Sequence, residues 1–543
     1  MAAPVQQIET NRFEKWWKDL GIRKLLAWQA TILVSQMTTG YDESVVGSFQ
    51  SMKPWVNDMG NPNPSRIGLI TAIVFVGGFA GALVASPIAD HFGRRVGMFV
   101  GASLTFVGTI LQTAAQNSGM FIGGRFLIGF GISFTCVAGP SLLFELAHPA
   151  MRGTISSLVI SCSYPTMNLK KQLLILDFQF NVLWYVGSII AAWTTFGTGY
   201  MTTSWSWRIP SLIQGVPALL VMISVLCGLP ESPRWLCANQ RNEEARQLLA
   251  KYHSNGNAHS ALVVSEMKEI QTFLEAETAA RTSGQSSWGI LYRSPANRKR
   301  IALVATVALL TLWNGQGVIS YYFSPILTSV GITSTPQQTG INGGLQIWNL
   351  LFSLAGALLA DRIGRRTLWL TSFIGMIIAN IPLTISSAMY AQHGSKGASI
   401  AVVVFLFLYD ATFNLANNPL LYCYPTEILP FSIRAKGLAI QVAVSQAALT
   451  INQYVNPIAL DSIGFYYYIF YLGMLILGTL IIFFTFPETK GKTEVELAAL
   501  FEDRKSDHDY PITLEGLEAG LENISESHKG GVVVTQDKDF AKS

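Results

Sequence analysis

The residues best placed to do chemistry in this chain are acids and arginines set where charge is expensive. Asp42 and Arg125 each stand inside a long apolar run, and Asp410 stands alone in "FLYDATFNLANNP". An ionisable group in such a run is a functional candidate by default, because an unpaired buried charge is so costly. Two further clusters, "ADHFGRR" from Ala89 to Arg95 and "ADRIGRR" from Ala360 to Arg366, repeat one acid and two arginines at the same spacing, each after an apolar run. Acids and guanidiniums can pair, titrate or pin a helix end. No nucleophile, base or metal-ligand set accompanies them, so the chain reads as no enzyme, with no cofactor and no metal. The five cysteines show no CxxC spacing, which argues against a disulfide framework.

A second group of residues could recognise a ligand. Gln338, Asn342, Gln346, Asn349 and Ser353 follow one another at helical spacing and share one face. Asp410, Asn414 and Asn417 do the same, as do Gln441, Ser445, Asn452 and Asn456, while Asn314, Gln316, Tyr321 and Tyr322 sit close together in a fourth segment. Amides both donate and accept, as a neutral polyhydroxylated ligand requires, and a ring such as Trp184, Trp313 or Trp348 can stack on the apolar side of a sugar. The candidate substrate residues are Asn314, Gln316, Tyr321, Gln346, Asn349, Asn417, Asn452 and Trp184. An anion would need a Lys or Arg among the later apolar runs, and none is found. The alternative for any one amide is a bond between helices, worth about 0.6 to 2 kcal/mol.

These residues need a scaffold in a bilayer. With 543 residues, 50% hydrophobic, 13% charged and 47 glycines, and a mean hydropathy of +0.36, the chain cannot solvate a soluble surface of its size. About 20 apolar residues cross the hydrocarbon as a helix. Twelve such segments begin near Leu25, Arg66, Val96, Gly119, Phe180, Ile209, Ile301, Gln338, Thr367, Ala398, Ile433 and Phe465. Residues 1–24 are polar and resemble no signal peptide, so the first span is expected to act as the insertion signal. Lys15, Lys18, Arg23, Lys24, the two Arg-Arg turns and about ten basic residues between Glu231 and Arg300 fall on one side, which places both termini and the central loop in the cytoplasm. The net charge of +4 is small and scattered, so no nucleic-acid partner is expected.

The paired turns each follow the second span of a six-span half. The chain thus divides into a cytoplasmic segment (1–24), a six-helix half (25–228), a cytoplasmic linker with short amphipathic helices (229–300), a second six-helix half (301–486) and a polar tail (487–543) expected to be mostly disordered. Two parallel halves around a midplane site are the mark of a secondary transporter. All seven histidines fall outside the spans. Asp42 and Arg125 reach similar depth, where protonation of the acid would release the arginine; the alternative is a static pair tying two helices. Glu43, one residue on, is expected at the extracellular rim. Asp410 could be a second titrating group or a direct hydroxyl acceptor.

Several stretches in order, "GYDESVVGS" at 40, "GRFLIGFG" at 124, "FELAHPAMRG" at 144, "PESPRWL" at 230, "YPTEILPFSIRAKG" at 424 and "PETKG" at 487, together with the paired turns, resemble the sugar porter family of the major facilitator superfamily over about residues 25 to 500. Within it, "WYVGSIIAAW" and "NQYVNPIAL" are most similar to fungal lactose, cellodextrin and hexose permeases. The resemblance implies the all-α major facilitator fold of twelve transmembrane helices, and a plasma-membrane symporter that carries a small neutral mono- or disaccharide with protons. An uncoupled facilitator and a non-transporting sensor are the alternatives. It implies that Asp42 and Arg125 form the proton-coupling pair. It also implies gating clusters in which Asp90, Arg94 and Arg95 bond to Glu145 and Arg152, and Asp361, Arg365 and Arg366 bond to Glu427 and Arg434. The alternative for these arginines is topology alone. A monomer in the lipid bilayer is expected.

The pattern departs from the family where many members carry glutamines or a tryptophan, at Thr311, Leu312, Val182, Ser188, Asn417 and Asn418, although Asn349 matches. The pocket is therefore expected to be rebuilt. Residues 159–179 look surplus between "RGTISSL" and "FNVLWYVGS". They read as a retained intron, since valine codons begin GT and glutamine can end in AG, or as a genuine loop insertion.

Overall fold

A computed structural model describes residues 19–148, 173–282 and 288–490, with 497, 500 and 501. Among them the chain is helical throughout, with no strand. Twelve long helices correspond to the twelve expected spans, each starting within seven residues of the expected position. They are α1 (Leu20–Phe49), α2 (Pro64–Phe92), α3 (Arg94–Thr113), α4 (Ser118–Glu145), α5 (Leu173–Thr198), α6 (Trp205–Leu226), α7 (Pro295–Leu312), α8 (Thr335–Ile363), α9 (Arg365–His393), α10 (Lys396–Ile428), α11 (Phe431–Ile463) and α12 (Tyr466–Thr485). Most begin ahead of the apolar run because polar caps extend the helix past the hydrocarbon. Asp19, Asn63 and Asn117 accept from the backbone N–H three residues on, at 3.1, 2.8 and 2.9 Å, and Pro64, Pro295 and Pro336 stand in first turns.

Among the described residues, eight of the twelve are long and apolar enough to cross a membrane on composition alone. Others fall short for a structural reason. α1 and α11 turn Gln29, Gln36, Asp42, Gln441, Gln453 and Asn456 inward, and α7 breaks at Gly315, whose φ of 97° is left-handed, before continuing as Gln316–Tyr321 and Phe323–Ser329. The outer surface carries exposed Leu83, Ile378, Ile400 and Phe484, a belt suited to lipid. Between the halves, Pro233–Ala238, Asn242–His253, Ala261–Thr282 and Ile290–Arg293 form the short helices of the linker.

With an even number of crossings, the start of α1 and the end of α12 share one face, the terminal face; the other is the distal face. Each half packs its own helices, α2 and α3 on α4 and α1 on α5 in the first, α8 and α9 on α10 in the second. The halves meet along α2 with α11 and α5 with α8. α1 and α5 approach closely because Gly40 and Gly187 lie at their crossing: a Cβ on either would come within 1.9 Å of the Trp184 carbonyl oxygen or 2.2 Å of that of Met37. This contact fixes Asp42 and Trp184 on neighbouring walls. The cross-half hydrogen bonds among the described residues lie in the distal part or at mid-depth. Thr335 donates to the Ser51 carbonyl (2.7 Å), Gln50 to that of Tyr321 (2.9 Å) and Asn342 to Ser48 (3.2 Å), while Ser65 meets Tyr454 (3.0 Å).

Residues 159–172 of the expected surplus stretch lie outside the described residues, and α5 starts at Leu173, inside that stretch.

Candidate functional site

Asp42 is seven residues from the distal end of α1 and Arg125 seven from that of α4, so a rise of about 1.5 Å per residue puts both about 10 Å deep. They face each other in a two-pronged ion pair, Nη1 to Oδ1 at 3.1 Å and Nη2 to Oδ2 at 3.2 Å, with the two side chains 0% and 3% exposed. Arg125 Nε donates to the Ile70 carbonyl (2.7 Å), and Gln214 donates to Asp42 Oδ1 (2.7 Å) while accepting from Gln112 (3.2 Å). A buried pair holds only when the remaining donors and lone pairs are met. Gln214 was missed in the sequence, although a glutamine inside the apolar "SLIQGVPALL" was a usable signal.

Glu43 departs from the expected rim position. It is half-buried, beside Asp42 and the Tyr321 hydroxyl, and close enough to act on Tyr185 and Tyr422. Helical rotation carries it about 100° from Asp42, toward the second half and away from Arg125.

At mid-depth, α5, α8 and α10 bring Tyr185, Asn349 and Asp410 together, each 13 or 14 residues from its distal helix end. Tyr185 donates to Asn414 and accepts from Asn418 (2.9 Å), joining the halves. Asn349 Nδ2 donates to Asp410 Oδ2 at 2.8 Å. Trp184 is half-buried, its ring edge-on to Tyr185 at 4.6 Å. Gln346 donates to Asn342 (3.0 Å), and Gln316 is half-buried and bonded to Ser320.

Three of the expected substrate amides are spent elsewhere. Asn314 binds the backbone N–H of Gln316 (3.1 Å) and reaches Asn417 (3.4 Å), bracing the break in α7. Asn417 points away from the first half, donating to Ser372 of α9 at 2.9 Å. Asn452 accepts from Asn456 (2.8 Å) and donates to Tyr471 of α12 (3.1 Å). Trp313 and Trp348 anchor their indole N–H on the carbonyls of Ala448 and Phe407. Their helical faces were correctly polar, but those faces are satisfied within the second half.

At the terminal face the paired turns are near copies. Gly93 and Gly364, with φ of 105° and 106°, end α2 and α8 and release α3 and α9. Arg94 pairs with Asp90 (3.0 Å) and Glu145 (3.4 Å), and Arg365 with Glu427 (3.1 Å). The second arginines differ from expectation: Arg95 donates to the Val225 carbonyl and Arg366 to that of Phe483, both at 2.6 Å. The stems run toward the ends of α6 and α12, away from Glu145 and Glu427. Arg434 donates to the Leu429 carbonyl at 3.1 Å. Arg152 and the Asp361 side chain lie outside the described residues. The turns gain an unforeseen partner each. Glu231 accepts from the backbone N–H of Arg94 and Arg95, and Glu488 from those of Arg365 and Arg366, at 2.9 to 3.2 Å. Both follow a proline, in "PESPRWL" and "PETKG", and both cap a helix N-terminus where an anion is favoured. Burial raises the pKa of Glu231, and the N–H bonds from Ser232, Arg95 and Arg94 pull it back. The pairs seen join helices within one half, so they brace that half.

A cavity of about 530 Å³ opens at the terminal face among Phe92, Arg95, Glu231, Trp235 and Arg241. It lies at the helix ends, away from the mid-depth residues. Among the described residues no group of acids, histidines and cysteines could hold a metal.

Two six-helix halves that meet along polar helix faces, the first holding a buried ion pair, are the architecture of the major facilitator fold. The family model described as "Sugar (and other) transporter" matches residues 28–163 and 175–501, and the chain belongs to that family. The interruption at 164–174 falls inside the stretch expected to be surplus. Among curated proteins, the chain is 26% identical over 515 residues to the MFS-type transporter criB of Aspergillus cristatus, covering 94% of this chain and 100% of that one. It is 28% identical over 495 residues to a high-affinity glucose transporter of Kluyveromyces lactis, covering 87% and 84%. Among solved structures it resembles the inward-open xylose transporter XylE of E. coli, with a TM-score of 0.67, 22% identity, and 88% of this chain and 100% of that one covered. XylE bound to 6-bromo-6-deoxy-D-glucose, titled a proton:xylose symporter, matches with a TM-score of 0.65 at 23% identity, covering 88% and 99%.

Proposed function

We propose that the protein is a proton-coupled symporter of the plasma membrane that imports a neutral mono- or disaccharide by alternating access, with both termini in the cytoplasm. The observation that carries this reading is the two-pronged Asp42–Arg125 pair, buried and bonded through both carboxylate oxygens. Protonating Asp42 neutralises half of the pair and frees Arg125, which changes the relative energy of the two access states. The sugar would sit at mid-depth against Asn349, Gln346 and Tyr321, with Trp184 stacked on its apolar face. The name of the solved relative as a proton:xylose symporter supports the same reading. The paired turns keep the helix ends of each half together while the halves rock.

The test is Asp42→Asn in a hexose-uptake-deficient cell, comparing exchange, accumulation and sugar-induced alkalinisation of the medium. Exchange is expected to survive while accumulation and alkalinisation disappear. Accumulation that persists with proton uptake would remove Asp42 from the mechanism. A wild-type protein that equilibrates sugar without alkalinisation is a facilitator, and one that binds without moving sugar is a sensor.

A further inference from the structure

Among the described residues, Asp42 has a cation beside it and Asp410 has none. Asp410 is 0% exposed, 14 residues from the distal end of α10, hence about 21 Å along it. The basic residues of the helices around it, Arg298, Lys299, Arg300, Arg362, Arg365, Arg366, His393, Lys396, Arg434 and Lys436, all lie within two turns of a helix end. The groups that do face it are few. α5 supplies Tyr185, α10 itself Tyr409, and α8 the neutral Asn349, while Glu43 of α1 acts on the same Tyr185. Among the described residues, no cation offsets a negative charge there.

The hydrogen bonding is incomplete in an informative way. With Asn349 Nδ2 donating to Asp410 Oδ2, both Asp410 Oδ1 and Asn349 Oδ1 are buried without a hydrogen-bond partner. Two orphan acceptors on one hydrogen-bonded pair lack one thing, a donor. A proton on Asp410 Oδ1 supplies it: donated to Asn349 Oδ1, it closes a two-bond acid–amide pair with the Nδ2 bond already in place. The amide oxygen is therefore open to a ligand hydroxyl when Asp410 is ionised and taken when it is protonated.

We propose that Asp410 is a second proton-binding site, separate from Asp42, whose proton occupies the Asn349 amide oxygen and so links sugar binding to pH. The idea rests on the reading of a sugar site at mid-depth, and the proton comes from bulk water and returns to it on the other side. Two protons would then travel with each sugar, one on each acid.

The experiment uses the full chain reconstituted in nanodiscs. Infrared difference spectra between acid and alkaline pH are expected to show a protonated-carboxyl band that Asp410→Asn abolishes and that Asp42→Asn and Glu43→Gln retain. Asn349→Ala keeps the acid but should shift its band, and it answers the question if Asp410→Asn does not fold. With D-glucose and D-xylose as probes, the pH dependence of wild-type affinity is expected to exceed that of Asp410→Asn and Asn349→Ala by up to about tenfold per pH unit in the titrating range, the share of one linked proton, the share of Asp42 remaining in both variants. A band untouched by Asp410→Asn, or lost in Glu43→Gln instead, overturns the proposal, as does the same pH profile in Asp410→Asn and wild type. Failure of both sugars to bind would count against the sugar reading, and the infrared result would still decide the proton site.

Discussion

Arg125 anchors the densest set of bonds at the candidate site, meeting both oxygens of Asp42 and the carbonyl of Ile70 with no exposed surface. Removing one partner of such a pair leaves a bare charge, at a cost of about 3 to 5 kcal/mol, whereas replacing both by neutral groups costs much less. Arg125→Ala should therefore lower the thermal midpoint in detergent, and Asp42→Asn with Arg125→Gln should recover part of the loss; a double variant less stable than the single would contradict this. Glycine matters in the same local way at the turns. A Cβ on Gly93 would lie 2.4 Å from Glu231 Oε2, and one on Gly364 2.7 Å from Glu488 Oε2, at backbone angles that favour glycine. Gly93→Ala is expected to destabilise the first half by about 1 to 3 kcal/mol, read by fluorescence-detected melting, with Glu231→Ala falling in a similar range.

Among the helices, α7 and α5 are the two whose form has most bearing on transport. The break in α7 is held by Gly315, by Asn314 binding the Gln316 N–H, and by Tyr409 donating to the Asn314 carbonyl. A Cβ on Gly315 would fall 2.9 Å from the Tyr409 hydroxyl, so Gly315→Ala should strain the break and slow sugar counterflow more than it weakens binding. α5 poses a different question. Deleting 159–179 would leave 180–198 as its span, about 28 Å of helix, enough for a hydrocarbon core of about 30 Å. A chain without 159–179 should reach the plasma membrane and transport at least as well as the full chain. Loss of surface expression on deletion, together with transcripts that mostly contain the segment, would make it a genuine insertion.

The molecule as a whole is joined across its halves near the distal face, where Thr335 bonds Ser51 and Asn342 bonds Ser48. Alternating access requires these contacts to part once per cycle. A cross-link between cysteines placed at Ser51 and Thr335 should stop uptake and release it on reduction, and full activity in the cross-linked protein would show that the distal contact is not a gate. The ion-paired turns at the other face lie within single halves, so each half is expected to move as a braced unit.

Span count, duplication and depth were legible in the sequence because they depend on one dimension. Length of an apolar run, repetition of a motif and distance along a helix are all set locally, and they located the twelve helices, the paired turns and the common depth of Asp42 and Arg125. What the sequence left undecided was which neighbour each polar face would meet. Periodicity places Asn314, Asn417 and Asn452 on polar faces, but only the rotation of each helix within the bundle turned them to Gln316, Ser372 and Tyr471. The same rotation brought Glu43 to Tyr321, and the return of the chain more than 120 residues later brought Glu231 and Glu488 to the turns. These pairings are settled by the packing of helices far apart in the chain, for which a single helix carries the donors and acceptors but not the partner.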